Sequence, residues 1–393
     1  MQGKATGGLP PPDATSAAHS ERCRAFIRQQ IESAGGSLSF AEYMQHALYA
    51  PGLGYYAAGN TKFGAAGDFV TAPEVSPIFG RVVARQCAAV LADIAGGSIL
   101  EFGAGSGRLA VDLLTKLDEM NRLPEQYLIL EVSADLQDRQ AALLRQAIPQ
   151  LVNRVRWISA LPSAHRGVII ANEVLDALPV ERFVRHEQIL QQRVTVEGDA
   201  FVFLQQPAPD ILVNAVEEIE ASLGQELAAG YESDVSLAAP GWTAGVVAAL
   251  AEGAVFLFDY GLSRREYYAA DRCGGWLRCH FRHHAHNDPL ILPGIQDLTA
   301  WVDFSSVADA ASDAGADIAG YVSQSSFLIA GGLDEELAGL AALETSERME
   351  LSAQVKMLTL PGAMGEHFKC MALAKRLAAP LGAFQTADRT AML

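Results

Sequence analysis

A short apolar run, Ile99-Leu100-Glu101-Phe102, leads into Gly103-Ala104-Gly105-Ser106-Gly107 and then an amphipathic stretch from Arg108. Alternating glycines let the backbone turn sharply and approach a ligand with no Cβ in the way, and the next helix offers its N-terminal amides. The spacing is G-x-G-x-G, unlike the G-x-G-x-x-G of dinucleotide sites. Glu101 stands two residues before the first glycine, where a carboxylate repels a pyrophosphate and suits a cation. Gly103, Gly105, Gly107 and Glu101 therefore point to S-adenosylmethionine, whose sulfonium and amino groups are positive. A bare strand-to-helix turn is the alternative. Further on, Tyr127-Leu128-Ile129-Leu130-Glu131 reads as a strand ending in an acid, and Glu131 can accept both ribose hydroxyls of a nucleoside. A solvated charge at a strand end is the competing reading.

A second group follows the strand Gly167-Val168-Ile169-Ile170-Ala171: Asn172-Glu173-Val174-Leu175-Asp176-Ala177-Leu178-Pro179. Ligands of open α/β sheets sit outside the carboxyl ends of the strands, so this turn faces the reacting atom. Glu173 and Asp176 can hold a guanidinium by paired hydrogen bonds or an ammonium as counter-charge, with Asn172 beside them. The alternative is helix capping, Asn172 as N-cap and the acids in a first turn.

The elements that position these residues alternate. Strands are predicted at 98–102, 127–131, 154–158, 167–171 and 254–259, with helices after the first two, which implies a parallel sheet wound on both faces. Before them, residues 20–48 read as two helices broken at Gly35-Gly36, the second behind a Ser39 cap. About 80 residues separate the fourth and fifth strands, far more than an ordinary connection. Within them 181–185, 190–196 and 200–204 read as an antiparallel meander, followed by a helix over 212–228. After the fifth strand, 261–298 read as a polar loop region, then a helix at 304–314, a strand at 317–322, a long helix at 333–358 and a last strand at 366–374.

Lys plus Arg number 29 against 46 Asp plus Glu, a net charge of −17 without a long basic cluster, which argues against nucleic acid as a partner. No run of ~18 apolar residues is present, so no membrane span is expected. The first 20 residues show no apolar core of the signal-peptide kind, and the five cysteines lack C-x-x-C spacing; both fit a cytoplasmic protein.

Five segments together, GDFVTAPEVSPIFG (67–80), LEFGAGSGRLA (100–110), ILEVSADL (129–136), NEVLDALPVERF (172–183) and GWLRCHFRHHAHNDPLILPGIQDLTAWVDF (275–304), resemble the MidA family of S-adenosylmethionine-dependent methyltransferases. The resemblance extends from about residue 20 over nearly the whole chain. It implies a Rossmann-like class I methyltransferase, an α/β fold with a mostly parallel seven-stranded sheet, an N-terminal helical layer and an α+β insertion. For mitochondrial members it implies symmetric dimethylation of an arginine on a respiratory complex I subunit, so the expected partner is a protein substrate, with a complex I subunit one candidate and a homodimer one assembly. By position Gly103, Gly105 and Gly107 match the cofactor loop, Glu131 the ribose acid, and Asn172, Glu173 and Asp176 the motif after the strand. Trp301 stands where members often carry histidine. Near Trp157-Ile158-Ser159 the chain lacks the acid that some methyltransferases aim at adenine.

Asp68, Thr71 and Glu74 are expected to line the entrance, with Gly54, Gly59, Gly64 and Gly67 allowing a lid to move, and Thr71, Pro73 and Glu74 are assigned to the cofactor site. Helix capping by Thr71 and Glu74, with Pro73 in the first turn, is the alternative. His280, His283, His284, His286 and Asp288 suggest a metal, but their spacing matches no ligand pattern and the reading is no metal, a loop packed by Arg278, Arg282 and Asp288. The expected organisation is a disordered lead-in at 1–19, a helical layer and lid at 20–97, a core at 98–180 and 251–377, a substrate-selecting insertion at 181–250 and a flexible tail at 378–393. A nicotinamide-dependent oxidoreductase and a non-catalytic assembly factor are the alternatives to the methyltransferase.

Overall fold

The computed structural model describes residues 9–57 and 71–393. Helices α1 (Ala14–Ser33), α2 (Phe40–Tyr49), α3 (Ala72–Val75) and α4 (Pro77–Asp93) lead to β1 (Ser98–Phe102), α5 (Arg108–Glu119), β2 (Tyr127–Leu130), α6 (Ala134–Ala147), β3 (Val155–Ile158) and β4 (His165–Asn172). Then come β5 (Glu181–Arg185), β6 (Ile189–Glu197), β7 (Ala200–Pro207), α7 (Asp210–Leu223), β8 (Tyr231–Val235), α8 (Ala238–Ala249) and the long β9 (Leu250–Leu262). After α9 (Arg264–Tyr267) follow β10 (Leu277–Phe281), β11 (His284–His286), β12 (Asp297–Ala300), β13 (Val302–Asp303), α10 (Phe304–Asp313) and β14 (Asp317–Ser323). The chain continues with α11 (Gln324–Ala330), α12 (Leu333–Glu336), α13 (Thr345–Thr359), α14 (Met364–His367) and β15 (Phe368–Lys375). These fall into two units, one of Met1–Phe69, Ala177–Ala238 and Tyr267–Ala300, the other of Val70–Asp176, Ala239–Glu266 and Trp301–Leu393.

The second unit holds the expected Rossmann-like sheet. Among the described residues its strands run in the order β14-β15-β9-β4-β1-β2-β3, with the two-residue β13 beside β9. β1 to β4 and β9 are parallel, and β15 is antiparallel to both β9 and β14. Val168, Ile169 and Ile170 of β4 and Ala254 to Phe258 of β9 are fully buried, as continuous apolar runs in a sheet covered on both faces must be. Helix α5 buries Leu109, Leu113, Leu114 and Leu117, and it meets α4 at Gly80, where an added Cβ would lie 2.7 Å from Asp112 Cβ. The register aligns Phe102 with Leu130 and Ala171, so the carboxyl ends of β1, β2 and β4 share one edge.

Two expectations for this unit are corrected. The helix predicted over 333–358 is broken into α12, a 3-10 turn at Leu340–Ala342 and α13, because the chain restarts at Glu344 with its own capping box. The tail at 378–393 is packed rather than flexible: Phe384 is 2% exposed, and its ring centroid lies 6.0 Å from that of Phe256 and 5.4 Å from that of Phe327. Arg389 N donates to Tyr321 O (2.7 Å) and Tyr321 N donates to Asp388 Oδ1 (3.0 Å), covering groups that edge strand β14 would otherwise expose.

The first unit is built on the four-stranded antiparallel sheet β7-β6-β5-β8. The apolar faces of α1 (Cys23, Ile27, Ile31) and α2 (Phe40, Tyr43, Met44) share one core with Val194 and Phe201 of that sheet, so the N-terminal helices and the insertion form one unit. The expected disordered lead-in at 1–19 is corrected over its described part, residues 1–8 lying outside the described residues. α1 starts at Ala14, where Asp13 Oδ1 accepts from Thr15 N (3.0 Å) and Ser16 N (2.9 Å). The region expected as a polar loop contains the sheet β11-β10-β12. β10 and β11 are joined by Arg282 and His283, with φ of 49° and 62°, a two-residue turn normally signalled by Asn or Gly and so hidden in this sequence. Among the described residues no helix is long and apolar enough to cross a membrane.

Candidate functional site

The glycine loop forms because only glycine takes a left-handed backbone freely: φ is 55° at Gly103, 54° at Gly105 and 88° at Gly107. Gly103 N donates to Leu130 O (3.0 Å) and Gly107 N to Ala104 O (2.7 Å), fixing the loop against the end of β2. Ser106 Oγ donates to Glu74 Oε1, which brings Glu74, one turn into α3, against the loop. Thr71 precedes α3 without a side-chain capping bond, and Pro73 is buried in it. Asp68 and the glycines at 59, 64 and 67 lie outside the described residues.

Glu131 is buried, with Oε1 accepting from Ser133 N (2.9 Å) and Oε2 from Gln140 Nε2 (3.2 Å). The same Gln140 Nε2 donates to Gly105 O (3.0 Å), and Gln140 Oε1 accepts from Trp157 Nε1 (2.8 Å). Loop, acid and the end of β3 thus converge on one side chain the motif reading missed. Its signal was present: Leu136, Gln140 and Leu144 repeat every four residues on the buried face of α6, and a polar residue there must be satisfied by partners. Glu101 needs correction. It is 3% exposed and its Oε2 accepts from Tyr127 Oη (2.7 Å), so it lies under the loop instead of presenting an open charge; burial pushes its carboxyl up to about 7.

The turn after β4 is organised differently. No helix follows Asn172 until α7, so the capping alternative falls. The amides of Val174 (3.2 Å), Leu175 (2.9 Å) and Asp176 (3.2 Å) all donate to Asp259 Oδ2, and Asp259 Oδ1 accepts from Tyr260 N (2.9 Å). Asp259, near the end of β9, is 1% exposed. Wrapping the turn around this carboxylate puts Glu173 at φ 54°, with Asn172 Nδ2 donating to Glu173 Oε1 (3.1 Å). Asp176 is buried next to them. Burial and then the Glu173 charge hold Asp259 well above the ordinary carboxylate range, and the Tyr260 phenol is raised by burial and by Glu173, Asp176 and Asp259. Tyr260 also sits 3.8 Å, centroid to centroid, from Phe368 and 6.1 Å from a stacked Trp301. Three acids and an aromatic wall therefore gather here, chemistry suited to a planar cation. Asp259 could have been found from sequence by extending the carboxyl-end rule to the fifth strand.

In the other unit, His284 Nδ1 contacts Arg282 O (2.7 Å) and Asp288 N donates to His286 Nδ1 (3.3 Å), so these histidines serve the hairpin; Arg282 pairs with Asp13, and Asp288 Oδ1 accepts from Leu290 N (3.1 Å).

Comparison with known proteins gives a consistent picture. Residues 82–322 match the family model described as "putative S-adenosyl-L-methionine-dependent methyltransferase". The mitochondrial protein arginine methyltransferase NDUFAF7 of Danio rerio is 30% identical over 378 residues, 86% of this chain and 83% of that protein. Its Homo sapiens counterpart is 28% identical over 376 residues, 86% of this chain and 80% of that protein. A crystal structure of a Burkholderia thailandensis protein bound to S-adenosyl-homocysteine superposes with a TM-score of 0.92 at 39% identity, covering 98% of this chain and 100% of that one.

Proposed function

The chain belongs to the MidA family of S-adenosylmethionine-dependent methyltransferases, and from that premise we propose that it methylates the guanidinium of an arginine in a protein substrate. Family membership removes the nicotinamide alternative. The cofactor supplies an electrophilic methyl group. The residues present fit it: three glycines in left-handed backbone leave a cradle without Cβ atoms, Glu74 borders it through Ser106, and Glu131 is anchored through both oxygens where ribose hydroxyls would be accepted.

The observation that carries the acceptor reading is the gathering of Glu173, Asp176 and Asp259 at the carboxyl ends of β4 and β9. Glu173 and Asp176 hold the guanidinium by charge-assisted hydrogen bonds and turn one nitrogen toward the methyl donor, while Tyr260 and Trp301 face a planar group. Naming of the relatives as protein arginine methyltransferases supports the same reading. A respiratory complex I subunit as the substrate, action in the cytoplasm and a homodimer are proposals that rest on the motif resemblance and the scattered cysteines.

The test is incubation of cell extract with methyl-labelled S-adenosylmethionine and mass spectrometry of the labelled proteins. Label on arginine is expected, and Glu173→Gln should lower incorporation about 100-fold while the dissociation constant for S-adenosylhomocysteine stays within twofold. Label on lysine or none on protein overturns the arginine reading, and complementation by a Gly105→Val protein that binds no cofactor would favour the assembly-factor alternative.

A further inference from the structure

Gln140 is fully buried in α6, and none of the family motifs includes it. Its amide orientation is fixed by its surroundings. Nε2 faces two acceptors, Gly105 O at 3.0 Å and Glu131 Oε2 at 3.2 Å, while Oε1 faces a donor, Trp157 Nε1 at 2.8 Å. Reversing the amide would set oxygen against two oxygens and N–H against N–H, so the pattern admits one orientation. Gly107 adds a packing restraint, because a Cβ there would lie 3.3 Å from Gln140 Cγ.

From this geometry we propose that Gln140 is a positioning residue for the adenosine half of the methyl donor, locking together the glycine loop, the Glu131 carboxylate and the Trp157 indole. The proposal rests on the reading of Glu131 as the ribose acid. Each contact belongs to a different strand end: Gly105 follows β1, Glu131 follows β2 and Trp157 lies on β3. The free rotation of a glutamate side chain would otherwise spread Glu131 over several rotamers, and ligand binding would have to remove that freedom. With one oxygen on Ser133 N and the other on Gln140, the carboxylate is already in place.

Calorimetric titration of the full chain with S-adenosylhomocysteine and, separately, with adenosine tests this. Gln140→Ala should weaken both ligands by the same factor, about 10- to 100-fold, since the lost contacts serve the portion they share. Gln140→Glu keeps the volume but sets a third oxygen group against Glu131 and Gly105, and should bind more weakly than Gln140→Ala. A space-filling role predicts the reverse order, with Gln140→Glu close to the parent, and that result overturns the proposal. Should Gln140→Ala melt below the assay temperature, Trp157→Phe carries the test by removing only the indole N–H; a loss of about threefold or more is expected, and an unchanged dissociation constant counts against the lock. Glu131→Gln in the same series separates the two ideas. If it binds poorly while the Gln140 variants bind normally, the positioning role alone fails; if it binds normally, the ribose reading fails and takes the proposal with it.

Discussion

The glycine loop and the turn after β4 border the same sheet edge, yet they are held by opposite means. The loop is tied by a neutral amide, Gln140, and its left-handed residues are glycines. The turn is tied by a buried carboxylate, Asp259, and its left-handed residue is Glu173. A non-glycine residue in that backbone region costs on the order of 1–2 kcal/mol, whereas glycine adopts it freely. Strain is thus borne by a residue that carries an acidic side chain, and it is absent where the left-handed positions carry no Cβ, as the proposed acceptor and cofactor roles require. The hubs differ for a related reason: a carboxylate can collect three consecutive amides at one oxygen, which an amide spread over three separate elements does not attempt.

The largest expected effect is at Asp259. Asp259→Ala leaves the amides of Val174, Leu175, Asp176 and Tyr260 without their acceptor, a loss of about 3–5 kcal/mol in stability if water replaces part of the bonding. Released from its anchor, the turn should relax Glu173 out of its left-handed backbone, and methyl transfer should fall at least about 100-fold. Asp259→Asn retains one oxygen for the three amides but turns an NH2 toward Tyr260 N, so it should fall between the two. Denaturant melts and binding of S-adenosylhomocysteine measure the separation of the two regions: cofactor affinity should survive in Asp259→Asn. A loss of affinity equal to the loss of turnover would mean that the two regions act as one.

Gly107→Val is the corresponding break on the cofactor side. A β-branched residue at φ 88° is strained, and its Cβ would press on Gln140 at 3.3 Å. The expected result is about 100-fold weaker S-adenosylhomocysteine binding, with Gly107→Ala affected less because it carries the same backbone strain without the extra methyl groups. Calorimetry at one temperature suffices, and equal values for the two variants would show that the backbone strain and the shared Cβ against Gln140, not the extra methyl groups, set the cost.

How legible each region was follows from the same contrast. Glycines announce a left-handed loop directly, so the backbone turn at Gly103, Gly105 and Gly107 could be read from spacing, and the place of Glu131 at a strand end from the apolar run before it. The parallel strands were equally plain, because Val168 to Ala171 and Ala254 to Phe258 are uninterrupted apolar runs. Nothing local announces that Glu173 takes a left-handed backbone, since the cause is Asp259, more than 80 residues away in sequence. The N-cap reading of Asn172 failed for that reason: the amides that a helix would have left for a cap are taken by a distant carboxylate. The arrangement of α1 and α2 with the inserted sheet was hidden in the same way, since an apolar helix face reveals that it is buried but not which element buries it. Likewise Arg282 and His283 form their hairpin turn without the residues that usually mark one.

Glu101 supplies the smallest and most specific test, because it is a second buried acid in this region, with the charge of Glu131 near enough to raise its carboxyl further. Glu101 accepts from Tyr127 Oη, and burial raises its carboxyl to about 7 from an ordinary value near 4.5, just as burial raises Asp259 in spite of its four amide donors. With the folded value above the unfolded one, the folded protein holds the extra proton between those limits, so this group makes stability fall as pH rises from about 4.5 to 7, and the penalty is complete above that range. Its upper size is about 3 kcal/mol, 1.4 kcal/mol for each pH unit of separation. Glu101→Gln can still accept the Tyr127 hydrogen bond but cannot ionise. It should match the parent near pH 4, below both values, and be more stable by about 1–3 kcal/mol at pH 8 in urea melts. If the two stability profiles run parallel from pH 4 to 8, Glu101 ionises in the folded protein as readily as in the unfolded chain, and burial beside Glu131 does not raise its proton affinity.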